Sequence, residues 1–349
     1  MRNERNRYTQ TPPRRRSLLP LLLLTATVVY LLGGCALNSA LTTSLLTPEQ
    51  RLRGASESID TAIAALNRGE TALADRALAR AVGLLGEEGY AEVGRRLTEG
   101  GRPADVARLL EPATKRKETA GNPVLWATLA EAADKAGDSE GAKRHRAEAA
   151  RRAEEIVKTA GKTKPGSGAQ AQEAAQSFMR AGVYYTDFAG DPKSAIAAYR
   201  EAVRLFPDNP LMLNNLGYIL ADFGATPEQL EEAVKLTRRA VEIAPREPIF
   251  LDSYGWALFK RANIASDDLE AARRILREAV DMAPDVPELR FHLGVVYGAL
   301  GLTRDAEIEL ERAVRLRPNF KAAREARAQL KSAPSTGRVL GATWMPAVL

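Results

Sequence analysis

Cysteine, histidine and aromatic residues are scarce in this chain, and each scarcity removes a class of function. A single cysteine, Cys35, excludes an intramolecular disulfide and any zinc site of the multi-cysteine kind. The two histidines, His145 and His292, have no second His or Cys at metal-ligand spacing, so both read as surface histidines and no metal is expected. There is no Gly-rich phosphate loop and no Ser, Cys or Thr nucleophile beside a base, so the chain reads as a non-enzyme without a cofactor or small-molecule substrate. Carboxylate pairs such as Glu231/Glu232 and Asp267/Asp268 fall at expected helix starts, where they suit the helix macrodipole. No run of alternating β-branched residues occurs, and aromatics make up 6% of a composition rich in Ala, Leu, Arg and Glu. That is the composition of packed helices, and it predicts an all-α fold.

Excess charge is missing from the body as well. The formal charge is +6, but the first 34 residues hold Arg2, Arg5, Arg7, Arg14, Arg15 and Arg16 against Glu4 alone. Without them the chain is close to neutral, so nothing provides the Lys/Arg excess that phosphate neutralisation needs, and nucleic acid is not an expected partner.

What the chain does have begins with that leader. A polar, Arg-rich segment (1–16) precedes an apolar run (18–32) and the small residues Gly33 and Gly34, the order of an export signal. An apolar helix of that length spans about 22 Å, against about 30 Å for a hydrocarbon core, which favours cleavage over a permanent span. Leu32-Gly33-Gly34-Cys35 resembles the lipobox of bacterial lipoproteins, which implies that Cys35 becomes an acylated N-terminus. The alternative is an incidental cysteine ending a membrane helix from Ser17 to Leu37. Both readings place the body outside, since arginines preceding the run stay cytoplasmic. Ala36, standing where similar lipoproteins retained at an inner membrane often carry Asp, favours the outer membrane in a host with two.

The C-terminal half is periodic. Four expected first helices carry an apolar, apolar, small, apolar stripe at i, i+3, i+4 and i+7: Phe178/Ala181/Gly182/Tyr185, Leu213/Leu216/Gly217/Leu220, Leu251/Tyr254/Gly255/Leu258 and Arg290/Leu293/Gly294/Tyr297. Each is followed by Ala, Ala seven later and Pro five later: Ala195/Ala202/Pro207, Ala233/Ala240/Pro245, Ala272/Ala279/Pro284 and Ala306/Ala313/Pro318. The prolines end the second helices. Gly within a helix costs about 1 kcal/mol relative to Ala, so its recurrence implies a close approach of two helices. Insertions near Phe188-Ala189-Gly190, Gly224-Ala225-Thr226 and Ala262-Asn263-Ile264 belong in the turns within hairpins.

These stripes resemble tetratricopeptide repeats, with Arg290 and Thr237 departing from the pattern where bulky residues are usual. The resemblance implies a right-handed α-solenoid of helix-turn-helix repeats. Weaker copies precede it: Ile59/Ala62/Ile63/Leu66 with Ala74/Leu78/Ala81, Tyr90/Val93/Gly94/Leu97 with Leu110/Ala113, and Trp126/Leu129/Ala130/Ala133 with Ala142/Ala149. The expected organisation is a signal peptide (1–34), a tether (35–54), degenerate hairpins (55–158), a flexible linker (159–172), four repeats (173–320), a polar capping helix (321–331) and a tail (332–349).

By the same resemblance, a concave groove would be lined by Met179, Val183, Asn214, Tyr218, Asp252, Trp256, Phe291 and Val295, with Tyr218 and Trp256 as energetic centres. Some family members hold a peptide's terminal carboxylate with Lys, Arg and Asn at these positions. Met179 and Val183 replace a cation and an amide here, which argues against that mode. The expected function is a membrane-anchored scaffold of the bacterial cell envelope, binding other envelope proteins; the alternative is a non-catalytic recruiter of a cell-wall hydrolase or protease.

Overall fold

The computed structural model describes residues 48–86, 89–116, 119–166, 168–262 and 267–332. Cys35, the leader and the tail beyond Ser332 lie outside these residues, as does most of the third insertion. The described residues form fifteen helices, paired as seven antiparallel hairpins with a final single helix. The hairpins are α1 (Pro48–Asn67) with α2 (Thr71–Leu85), α3 (Gly89–Glu99) with α4 (Pro103–Thr114), α5 (Pro123–Ala136) with α6 (Ser139–Val157), and α7 (Ala169–Val183) with α8 (Pro192–Leu205). They continue as α9 (Pro210–Phe223) with α10 (Pro227–Ile243), α11 (Pro248–Arg261) with α12 (Asp267–Met282), and α13 (Pro287–Ala299) with α14 (Thr303–Leu316). The last helix, α15 (Lys321–Ser332), packs on α13 and α14. The array is a right-handed α-solenoid, and no helix among the described residues is long and apolar enough to cross a membrane.

Prolines come in pairs at three junctions, Pro207/Pro210, Pro245/Pro248 and Pro284/Pro287. Pro207, Pro245 and Pro318 follow residues driven out of helical geometry, with ψ of 80° at Phe206, 74° at Ala244 and 94° at Arg317. Three residues after the first proline of a pair, Pro210, Pro248 and Pro287 open the next first helix, where a missing N–H costs nothing. Asn122, Asp138, Asp191, Asn209 and Thr226 cap their helices through side-chain oxygens. At Thr226 the cap is reciprocal: its hydroxyl accepts from Gln229 N at 3.3 Å while Gln229 Oε1 accepts from Thr226 N at 3.3 Å.

The alanines of the second helices, Ala195, Ala202, Ala233, Ala240, Ala272, Ala279, Ala306 and Ala313, are all 0% exposed, leaving no space for a larger side chain. The recurrent glycines sit where the facing helix comes close, as expected: a Cβ would lie 3.1 Å from Ala233 O at Gly217, 3.4 Å from Ala272 O at Gly255 and 3.3 Å from Leu310 N at Gly294. A Cβ on Gly255 would lie 2.7 Å from Leu276 Cγ, one on Gly294 2.8 Å from Leu310 Cγ, one on Gly217 2.6 Å from Thr237 Cγ2, and one on Gly182 would enter the Tyr199 ring. Each glycine also clears room for a side chain of the facing helix, Tyr199, Thr237, Leu276 or Leu310. Thr237 fills the smaller version of that socket and returns its hydroxyl to Ala233 O at 2.8 Å.

Arg290, the polar member of its stripe, is buried. Its Nη1 meets Glu309 Oε2 at 2.6 Å and its Nε donates to Pro284 O at 2.6 Å, so an ion pair replaces an apolar contact. The first insertion is absorbed as a π-helical turn at Tyr184–Phe188, after which Ala189 N reaches back to Tyr184 O.

The segment expected to be a flexible linker is instead bound to the solenoid. Gly161 N donates to Glu201 Oε1 at 2.5 Å, Arg204 Nη2 donates to Thr163 O at 2.8 Å, and α7 already begins at Ala169. Its polar, Gly-rich composition suits a hydrogen-bonded crossing as well as a loose one. Val124, Ala127, Ala149, Ala153 and Tyr184 form one apolar cluster across the junction, so packing runs through it.

Candidate protein-binding face

The curvature of the array decides which helices face inward. First helices of successive hairpins pack on one another, α5 on α7, α9 on α11 and α11 on α13, whereas neighbouring second helices do not pack comparably. The row of closer helices occupies the inner radius, so the first helices line the inner face.

On that face three helices carry side chains at four-residue intervals: Asn214, Tyr218 and Asp222 on α9, Asp252, Trp256 and Lys260 on α11, and Glu288 and His292 on α13. They interlock across the helices. Trp256 Nε1 donates to Asp222 Oδ1 at 2.6 Å, and Lys260 Nζ lies 3.8 Å from the same oxygen and 5.5 Å from the Trp256 ring. His292 stacks on Trp256 with ring centroids 4.2 Å apart, and its Nδ1 is 2.8 Å from Asp252 Oδ2. Tyr218 lies 6.2 Å from the His292 ring, close enough to Asp222 for that carboxylate to act on its hydroxyl. Phe291 turns toward Phe320, 5.2 Å away.

His292 is therefore not a surface histidine: it is 5% exposed. Burial alone would lower its pKa, but the Asp252 charge and hydrogen bond, helped by Asp222 and Glu288, outweigh burial and raise it. Burial, with Asp222 and Asp252 nearby, raises the Tyr218 hydroxyl well above its ordinary value. Burial lowers Lys260 against the opposing pull of Asp222. His145 is half-buried beside Trp126, with its pKa lowered chiefly by burial.

Of the eight groove positions expected from the sequence, Met179, Asn214, Asp252, Trp256, Phe291 and Val295 are buried, while Val183 and Tyr218 are half-buried. The fold brings Tyr218, Asp252, Trp256 and Phe291 to one region around His292, with Asn214 one turn before Tyr218 on α9. Val183 packs with Val124 and Tyr184 at the junction of the halves, away from that region. Sequence reasoning missed Asp222, Lys260 and His292. The four-residue spacing from Tyr218 and Trp256 was the signal that could have found the first two. Among the described residues no group of three His, Cys, Asp or Glu side chains is placed to hold a metal ion.

Two tetratricopeptide repeat models match the chain, over residues 187–248 and 263–330. A TPR repeat-containing protein of Pseudomonas aeruginosa is 38% identical over 88 residues, covering 25% of this chain and 13% of that protein. The BBSome complex member BBS4 of Bos taurus is 31% identical over 137 residues, covering 38% of this chain and 24% of that protein. The chain thus matches less than a quarter of the length of these curated relatives. A tetratricopeptide repeat protein of Parabacteroides merdae of known structure is 12% identical, with a TM-score of 0.46 over 80% of this chain and 99% of that one. With the hairpin geometry above, the matched segments establish that this chain carries tetratricopeptide repeats.

Proposed function

We propose that this chain is an exported protein, held at the bacterial envelope by acylation of Cys35, that gathers other envelope proteins by binding their extended segments or helices on the inner face of α7, α9, α11 and α13. Tetratricopeptide solenoids are protein-interaction scaffolds, and an inner face on which α9 packs on α11 and α11 on α13 suits an elongated ligand. The observation that carries the reading is the cluster on α9, α11 and α13. Aromatic rings and charged groups are interlocked there on the inner radius, at a cost in buried polarity that packing alone does not require. The leader and Leu32-Gly33-Gly34-Cys35 support export and anchoring, and Ala36 supports the outer membrane.

Two measurements test this. Metabolic labelling with a tagged fatty acid should mark the wild type and not Cys35→Ser; equal labelling of both defeats the anchor. Affinity isolation of the full chain after crosslinking in intact cells should recover exported proteins, and recovery of cytoplasmic proteins alone defeats the envelope role.

A further inference from the structure

A cavity of about 320 Å³ opens in the groove between α1 and α2, at the first end of the array. That is the size of a small-ligand site, for which about 300–1,000 Å³ is usual. Helical periodicity places it on the side of the hairpin that nothing covers. Arg96 of α3 reaches Ser56 and Asp60 of α1, and Arg108 of α4 meets Asp75 of α2 at 2.8 Å. At about 100° per residue, Gly54 and Ser58 point away from Ser56 and Asp60, and Leu73 and Arg80 point away from Asp75. The groove is therefore the free face of the first hairpin.

Its free hydrogen-bond donors are cationic. Arg76 and Arg80 line it one turn apart on α2; both are exposed, and neither has a carboxylate partner among the described residues. Glu57, on the opposite rim, is taken by Arg53 at 3.0 Å. The hydroxyls of Ser58 and Thr61 donate along their own helix, to Gly54 O at 2.6 Å and Glu57 O at 2.7 Å. Two guanidinium groups are left facing a floor that includes Gly54, Leu73 and Ala77. Planar forks of N–H donors match the oxygens of a phosphate, and the small apolar floor suits the glycerol that carries one in a lipid.

We propose that the groove between α1 and α2 binds the headgroup of an anionic phospholipid, with Arg76 and Arg80 donating to its phosphate. The choice of a lipid rests on the proposed anchor at Cys35, which fatty-acid labelling tests separately. Pro48 opens α1 13 positions after Cys35, a reach of at most about 45 Å, so an acylated chain keeps its first hairpin beside a phospholipid surface. Headgroup binding there fixes the array's orientation on the membrane, which a lipid anchor on a tether does not.

Native mass spectrometry of the full chain in a non-ionic detergent, titrated with dihexanoyl phosphatidylglycerol or dihexanoyl phosphatidylcholine, tests this. One phosphatidylglycerol should bind about tenfold more tightly than phosphatidylcholine, whose ammonium offsets the phosphate charge. Arg76→Gln/Arg80→Gln should abolish that preference, with circular dichroism confirming unchanged helicity. Lys143→Gln/Arg144→Gln removes the same charge from exposed positions on α6 and should leave the preference intact. Equal binding of the two lipids, or equal loss in both double variants, overturns the groove as the site. Displacement of the lipid by equimolar inorganic phosphate or by a pentaglutamate peptide overturns the lipid as its ligand.

Discussion

Replacing Arg290 isolates the one place where the repeat pattern is broken by charge. Its side chain and that of Glu309 are 11% and 12% exposed, and their contact at 2.6 Å joins the two helices of the last hairpin. In Arg290→Leu the stripe gains the leucine found at Leu213 and Leu251, but Glu309 keeps a buried carboxylate. Arg312, half-exposed and 3.1 Å from the other oxygen, compensates in part. Pro284 O also loses its donor. Orphaning a buried charge costs about 3–5 kcal/mol, and the residual Arg312 pairing places the expected loss near the lower end, about 3 kcal/mol. The double variant Arg290→Leu/Glu309→Leu removes both charges, so it should return to within about 1 kcal/mol of wild type or exceed it. Urea unfolding followed by circular dichroism, with hydrogen exchange resolving α13 and α14, measures both. Because the array can open locally, exchange in those two helices should report the single variant first. A loss below about 0.5 kcal/mol in Arg290→Leu, or a double variant as weak as the single, would refute the account of a buried compensated pair.

The glycines give a prediction with two signs. Gly255→Ala gains about 1 kcal/mol of helix propensity but drives a Cβ to 2.7 Å from Leu276 Cγ, and should destabilise overall by about 1 kcal/mol in urea unfolding. Gly83→Ala, in α2 with nothing within 4 Å of its Cβ, should stabilise by about 0.5–1 kcal/mol. Thr226→Ala removes one arm of the capping box and should cost about 1 kcal/mol, localised by exchange to the start of α10. His292 binds its proton more tightly folded than unfolded, in a setting formed by Asp252 and Lys260 from α11, Asp222 and Tyr218 from α9, and Glu288 from α13. Its contribution is full below the ordinary imidazole value of 6.5 and is lost as pH rises through the higher folded value, so the unfolding midpoint should fall across that window. His292→Asn should flatten the fall, and an unchanged slope would refute the role of the dyad.

The architecture was legible because it is written in short-range signals. Paired prolines, buried alanines and helical glycines each serve a local steric need, and four copies in register leave one arrangement of hairpins. The first, weaker copies were legible for the same reason, since Ile59, Leu66, Leu78, Val93, Leu97 and Leu129 are all buried. The inner face was less so. A groove position named by its place in a repeat does not reveal what the next repeat sends across to it: Trp256 became an interior side chain because His292 stacks on it and Asp222 binds its nitrogen. His292 looked like a surface residue since its partner, Asp252, stands 40 positions away. The segment 159–166 misled in the opposite sense, because Glu201 and Arg204, which hold it, carry no mark in the sequence of what they bind.

The central claim, that partners are held on the inner radius of the first helices, is tested most directly by site-specific photocrosslinking in cells. A photoreactive phenylalanine analogue would replace half-buried Tyr218 and Lys260 on first helices, and exposed Arg239 and Glu278 on second helices. The account predicts partner adducts from Tyr218 and Lys260 and none from Arg239 or Glu278. Adducts from the second-helix positions alone, or equally from both sets, would contradict it.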